Sequence, residues 1–400
     1  MVGPDFYGRA EELDQLLSHL RSKHDVLILS PRRVGKSSIC QEAGRQLGDD
    51  GWLVAVTDAQ GCTDESGLFR ELTGQIQALK LPKKLRKPVA TRALKLKEGL
   101  RGVKFGVAGT SVEVTGDNPA QSWAVACQEM EDLLGLLATH GAEILLILDE
   151  LPILFSALMR TDPDEGAERC RRLLNWLRKV QKQHADSLVW LLCGSIGLDS
   201  QVSYLGIPGV LSDFELQGLG PMVGTEPSGL VWELAGGASP LAVTQPVVGR
   251  LLERVGWPIP CYIQLLYSAL YHLPSAQQSS DYPSEEDVDS AYDILVSRQY
   301  AVKFEPWDTR LEEGFLDPME AQIARRLLNR LCLVPLGIEK ADLLELSHAQ
   351  MPNLERDNFE KKFRGALNLL IHDGYLSEEG QRCAFLSPIL RDYWTRKHTP

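Results

Sequence analysis

The residues best suited to chemistry lie together in Ser30-Pro31-Arg32-Arg33-Val34-Gly35-Lys36-Ser37-Ser38. They follow a short apolar run, Val26-Leu27-Ile28-Leu29, and precede a helical pattern that ends at Gly48. A chain turning sharply from strand into helix offers successive backbone N–H groups and the positive end of a helix dipole, which together form a nest for a polyphosphate. Gly35 permits close backbone approach, Lys36 can reach β- and γ-phosphates, and the Ser37 hydroxyl can ligate Mg2+. Ser30 stands where such loops usually open with glycine. A second apolar run, Ile144–Leu148, leads into Asp149-Glu150. Asp149 is expected to hold the metal, mostly through water, and Glu150 to polarise an attacking water. A third run, Leu188–Cys193, is followed by Gly194-Ser195. Ser195 is a candidate to hold that water or touch the γ-phosphate; an ordinary turn serine reads equally well. Two adjacent core strands are expected to end at this site, with the lysine-bearing bend on one and the acid pair on the other.

Those groups need a scaffold. Leu13, Leu16, Leu17 and Leu20 mark an amphipathic helix over 11–22. Apolar runs at 25–30, 52–58, 144–148, 188–193 and 214–216 read as strands, and 36–48, 65–79, 121–139 and 165–184 as helices. Strands alternating with helices imply an α/β domain with a mainly parallel sheet over 1–220. Within it, Pro82 and Pro88 break up the basic stretch 80–101, whose later half suits a helix, and 103–115 suggests a β-hairpin. Helical segments follow at 226–235, 243–254, 259–272 and 285–299, a helical region over 221–303. Residues 304–318, rich in Pro, Gly, Trp and acid, read as a linker. Three helices at 318–332, 339–347 and 357–372, then two short strands, suggest a winged helix within 304–400.

The chain has 400 residues, 44% apolar and 24% charged, which excludes disorder throughout. No apolar run approaches the roughly 20 residues of a membrane helix, so no membrane contact is expected. No basic patch followed by an apolar stretch opens the sequence, so no secretory signal is expected. Eight scattered cysteines without CxxC suit a reduced, cytoplasmic setting without a zinc site. Net charge is −12, yet residues 80–104 hold ten Lys/Arg and one acid, leaving −21 for the rest. That balance argues against general nucleic-acid coating and allows one local anionic contact. The basic stretch has no aromatic residue on which to stack bases. Residues 315–400 carry 12 basic and 12 acidic residues, a weak electrostatic footprint for DNA. Lys361, Lys362 and Arg364 on the would-be recognition helix favour DNA, and Glu378 and Glu379 at the wing oppose it.

In this order, the motifs resemble those of the P-loop ATPases of the AAA+ and signal-transducing NTPase group, most of all the prokaryotic archaeal-type ATPases related to origin-recognition ATPases. The resemblance spans nearly the whole chain. Phe6-Tyr7-Gly8-Arg9-Ala10-Glu11-Glu12-Leu13 looks like the family's N-terminal box, implying that Phe6, Tyr7 and Arg9 lie near the nucleotide. Ser30–Ser38 looks like its phosphate loop, Leu148–Pro152 like its acidic strand end and Gly194–Leu198 like its first sensor. Gly256–Leu265, with Pro260, looks like its lid box, and Ser387–Trp394 like its winged-helix ending. The likeness implies a five-stranded order 5-1-4-3-2 and hydrolysis of ATP with Mg2+. It also implies ATP-dependent self-assembly on a client protein or DNA, with mobile-element and phage-defence settings common in such families. The arginine that neutralises transition-state charge is then expected from a neighbouring copy, with Arg178 the candidate among Arg169, Arg171, Arg172 and Arg178; Arg32 and Arg33 are in-loop alternatives. The lid box lacks the second-sensor arginine of many AAA+ enzymes, although Arg250 and Arg254 precede it. A nucleotide-gated scaffold with little turnover and a DNA-binding accessory ATPase are the alternatives.

Overall fold

Parallel strands buried on both faces read as continuous apolar runs, and two segments here have that form. In the computed structural model, β3 (Ile144–Asp149) and β4 (Leu188–Gly194) lie at the sheet centre and are almost wholly buried. Strands β1 (Val26–Leu29), β2 (Leu53–Asp58) and β5 (Glu215–Gln217) complete a five-stranded sheet. Its order is β2-β3-β4-β1-β5, as the resemblance implied, and every pairing is parallel. The structure describes all residues except 1–2, 4–5, 102–118, 140, 142, 195–197, 199–200, 203–204, 238–240, 279–281, 316 and 399–400. The hairpin expected at 103–115 and the candidate Ser195 lie outside the described residues.

The chain divides into two compact units, one of Met1–Leu29 with Lys36–Gly218, the other of Ser30–Gly35 with Leu219–Pro400. In the first, α1 (Ala10–Arg21), α2 (Lys36–Asp49), α3 (Glu65–Ala78), α6 (Leu151–Thr161) and α7 (Gly166–Gln183) pack on the sheet, while α4 (Lys83–Arg101) packs against α3 and α5 (Pro119–Ala138). Helix α2 lies close on the sheet because residue 44 is glycine: a Cβ there would stand 3.1 Å from Ile147 and Val54. Helix α4 begins earlier than expected and runs through Pro88. Proline deletes the hydrogen bond to the carbonyl four residues back. Lys84 and Pro88 are both exposed, so water can satisfy that carbonyl.

The second unit holds α8 (Glu226–Gly236), α9 (Gln245–Val255), α10 (Pro260–Tyr271), α11 (Pro274–Gln278) and α12 (Glu285–Leu295). The expected linker is instead helix α13 (Glu305–Glu313) with its flanks, and Phe304, Trp307, Leu311 and Phe315 are buried. Its prolines and acids suit a capped helix start, and its aromatics are core. Trp307 stacks on Tyr262 and meets Tyr375 edge-on, and the Tyr375 hydroxyl donates to the Trp307 carbonyl oxygen. Next come α14 (Pro318–Leu331), β6 (Ile338–Glu339), α15 (Lys340–Ala349), α16 (Arg356–His372), β7 (Leu376–Glu379) and β8 (Arg382–Phe385). The three strands form an antiparallel sheet ordered β6-β8-β7, a winged helix. Helix α17 (Pro388–His398) closes the unit, burying Ile389, Leu390, Tyr393 and Trp394.

Candidate phosphate and metal site

Strand β1 ends at Leu29, and α2 starts at Lys36. In the bend between them Arg33 and Gly35 take positive φ, 65° and 105°. Only Gly35 does so without steric cost. Ser30 has no such backbone, so its place does not demand glycine. Its buried hydroxyl instead accepts the Leu219 N–H at 2.5 Å. Val34 is fully buried, and Pro31, Arg32 and Arg33 are half-buried. Arg33 Nη1 lies 3.2 Å from Cys261 Sγ, one residue past Pro260, the first residue of α10.

Lys36 is buried at the start of α2, Ser37 is exposed and Ser38 half-buried. Ser37 Oγ donates to Asp149 Oδ2 at 2.6 Å, joining residues 112 apart in sequence. Glu150 follows in the left-handed region, at φ 56° and ψ 35°, and its N–H donates to the Cys193 carbonyl oxygen at 2.8 Å. Asp149 pairs with Cys193 across β3 and β4, and Leu29 with Gly194 across β1 and β4. The strands bearing the bend and the acids are therefore not adjacent: β4 separates them. Two interstrand spacings of about 4.8 Å leave roughly 10 Å between the two strand ends, wider than the expected arrangement.

The donor set suits a phosphate chain and its metal. Asp149 Oδ1 and Glu150 Oε2 are buried oxygens with no hydrogen-bond partner, and Arg32 Nε is a buried donor without one. Buried charged groups lacking partners are costly unless a ligand completes them. Ser37 and Asp149 would flank Mg2+, while Lys36 and the bend would face the phosphates. No cluster of three or more His, Cys, Asp or Glu suited to a metal occurs among the described residues.

The other candidates have contacts of their own. Phe6 and Tyr7 are half-buried, and Arg9, buried with φ 63°, donates to Glu12 Oε1 at 2.7 Å at the start of α1. Arg178 on α7 pairs with Asp213 at 3.2 Å. Arg171 donates to the Leu205 carbonyl oxygen at 2.7 Å, and Arg172 pairs with Glu165 at 3.8 Å. Arg169 cannot serve as a mobile finger: its side chain is 3% exposed and grips Glu65, itself 3% exposed, through two hydrogen bonds. Arg250 and Arg254 both bind Asp289 of α12.

Two features escaped the sequence reading. Cys40 and Cys193, both buried, interact beneath the site, and the Cys193 thiol is held well above its ordinary range by Cys40, by burial and by Asp149, with Lys36 opposing. The signal was Cys40 four residues after Lys36, on the inner face of α2. Gly194 is also required where β4 ends, since a Cβ there would come within 2.7 Å of Pro152, two residues past Glu150.

Residues 5–186 match the AAA ATPase domain family. No curated protein matches the chain. Among solved structures, a Walker-type ATPase of Pyrococcus abyssi is similar with a TM-score of 0.60 and 14% identity, over 98% of this chain and 96% of that one. The ORC2 protein of Aeropyrum pernix, solved as ADPNP-ADP complexes, gives 0.46 and 14%, over 99% and 96%. DnaA of Aquifex aeolicus, solved with AMPPCP, gives 0.39 and 13%, over 92% of each chain. The first likeness shows a shared fold over nearly the full length. No described helix is long and apolar enough to cross a membrane. The bend and the acid pair both lie within residues 5–186, the stretch that is similar to the AAA ATPase domain family.

Proposed function

We propose that this chain binds ATP with Mg2+ at Ser30–Ser38 and hydrolyses it to ADP and phosphate, switching an assembly of its own copies on a client protein or DNA. The observation that carries the reading is the 2.6 Å contact of Ser37 with Asp149, which brings the two metal-ligand candidates together beside the acid Glu150. Lys36 and the bend hold the phosphates, Ser37 and Asp149 the metal, and Glu150 orients the attacking water. Ser195 is the candidate for contact with the γ-phosphate. Phosphoryl transfer asks the protein mainly for positioning and charge stabilisation. An arginine from a neighbouring copy would supply the last positive charge, and Arg178 suits this. Its exposed pair with Asp213 is of the kind worth about 0–1 kcal/mol, so assembly can release it.

A second reading, a nucleotide-gated switch with little turnover, draws on the bend's contacts with Leu219 and Cys261. These tie the occupancy of Ser30–Gly35 to the rest of its unit. Calorimetry and size analysis with and without ATP·Mg test both readings. Lys36→Ala is expected to lose nucleotide, and Glu150→Gln to hold an ATP-bound assembly. Specific activity should rise with protein concentration, and a flat profile rejects the neighbouring arginine. Wild-type protein that ignores ATP in calorimetry rejects both readings.

A further inference from the structure

Helix α4 is held on one side only. Leu85, Val89, Ala93, Leu96 and Leu100 form its buried stripe. Its other side carries Lys83, Lys84, Arg86, Lys87 and Lys95, all exposed, with exposed Lys80 just before. Cations that serve the fold are easy to separate from these. Arg92 pairs with Glu129 and Asp132 of α5, Lys97 donates to Gln77 at 2.7 Å, and Arg86 donates to the Leu81 carbonyl oxygen at 3.0 Å. Lys80, Lys83, Lys84, Lys87 and Lys95 form no ion pair with any described residue.

Stability does not call for this pattern. The first turn of α4 has no acid, and cations there oppose the helix dipole. Lys83 and Lys87, one turn apart, repel each other. The winged helix treats its charges differently. Lys340 pairs with Glu378 at 2.8 Å, Arg356 with Glu345 and Glu360, and Arg382 with Glu339 at 2.9 Å. On the would-be recognition helix α16, Lys362 is spent on Asp317, leaving Lys361 and Arg364 exposed.

We infer that the exposed face of α4, rather than the winged helix, is where this chain meets the phosphodiester backbone of a nucleic-acid duplex. From Lys83 to Lys95 the helix rises about 18 Å, enough to follow several phosphates of one strand. The stretch 80–101 has no aromatic residue, so it offers no platform for unstacked bases. Leu94, 56% exposed, is its one large exposed apolar side chain among the described residues, whereas a protein interface is built around an apolar or aromatic centre. The rest of the chain sums to −21, and residues 315–400 to zero, so this strip is the most favourable place for a polyanion. Base reading has no part in it, so binding is expected to be indifferent to sequence.

The inference extends the proposed function by placing the nucleic acid, and it is tested without ATP, so either can fail alone. Fluorescence anisotropy of the full chain with a labelled 20-base-pair DNA duplex, at 50 and 200 mM salt, reads it. Four lysine–phosphate contacts give a log–log salt slope of about −3.6, so affinity should fall roughly 150-fold over that range. Lys83→Gln/Lys84→Gln/Lys87→Gln/Lys95→Gln changes only exposed side chains and should melt like wild type, yet lose about 100-fold or more in affinity at 50 mM. Lys361→Gln/Arg364→Gln should bind within about threefold of wild type. An RNA duplex in a parallel arm identifies which backbone is preferred, and salt-sensitive binding of either that is lost in the quadruple variant supports the inference. Undiminished binding by the quadruple variant overturns it, as does loss confined to the winged-helix variant. Wild-type protein that binds polyglutamate but neither duplex would make the strip a protein-docking face and also overturn it.

Discussion

Replacing Glu150 by glutamine separates chemistry from stability at one position. Glu150 holds a left-handed backbone, which costs a non-glycine residue about 1–2 kcal/mol. The N–H bond to Cys193 fixes it there, and Oε2 lies buried without a partner. Glutamine keeps the backbone and the volume while replacing a half-buried carboxylate, one of whose oxygens is buried without a partner, by a neutral amide. Unfolding free energy should therefore stay within about 0.5 kcal/mol of wild type or rise. Loss of a group that takes a proton from the attacking water costs on the order of 10²–10⁴ in rate, or about 3–5 kcal/mol of barrier. Steady-state phosphate release, paired with calorimetric ATP affinity, checks this: kcat should fall at least about 100-fold with ATP affinity nearly unchanged. Glu150→Gly should lose as much activity while gaining up to about 1 kcal/mol of stability from the relieved backbone. A glutamine variant that keeps more than a tenth of turnover, or loses ATP binding in step with turnover, refutes the role.

Three further perturbations follow from buried groups. Burial raises the Asp25 carboxyl to about 6, against hydrogen bonds from Trp190 N–H and Gln181. With its pKa above the unfolded value, its ionisation removes stability as pH rises from about 4 through 6, on the order of 3 kcal/mol by pH 7. Asp25→Asn should thus out-stabilise wild type increasingly between pH 4.5 and 7.5 in urea melts, and a gap that ignores pH counts against the assignment. Arg169→Ala strands Glu65 as a buried, unpaired carboxylate and should cost about 3–5 kcal/mol. Arg169→Met/Glu65→Leu should recover most of that loss, and a double variant as unstable as the single one would refute the pairing argument. Gly194→Ala drives a methyl against Pro152 and should shift Glu150 from its place. Turnover is then expected to drop more than about 10-fold with less than about 3 kcal/mol of destabilisation, and wild-type turnover would show that the strand end yields freely.

The bend of the candidate site was legible because its residues are contiguous. A phosphate nest is made of successive backbone groups, so Gly35, Lys36 and Ser37 must follow one another. Strands β3 and β4 were legible because burial on both faces writes an unbroken apolar run. Lateral order leaves no such trace: nothing in the Ile144–Leu148 run says that β4 stands between it and β1. Helix α4 ran past Pro88 because the lost bond faces water, and exposure is a property of the folded chain. The stretch 304–318 read as a linker because its prolines and acids dominate locally, whereas Trp307 acquires its meaning from Tyr262 and Tyr375, 45 and 68 residues away. Arg169 and Glu65, 104 residues apart, carry no sequence signal of their union.

Ser30 shows how far local reasoning carries and where it must yield. By the pattern alone it is a defect in a glycine position. The backbone there stays out of the left-handed region, so a side chain adds no strain, and the hydroxyl satisfies the Leu219 N–H, which burial would otherwise leave costly. The departure from the usual loop thus exchanges glycine's freedom for an anchor. A loop held at Ser30 through a hydrogen bond, and at Arg33 through Cys261, arrives at its ligand with less conformational freedom left to lose. Of the four non-glycine residues held at positive φ among the described residues, Arg9, Lys23, Arg33 and Glu150, two fall in the proposed site: Arg33 in the bend and Glu150 at the acid pair.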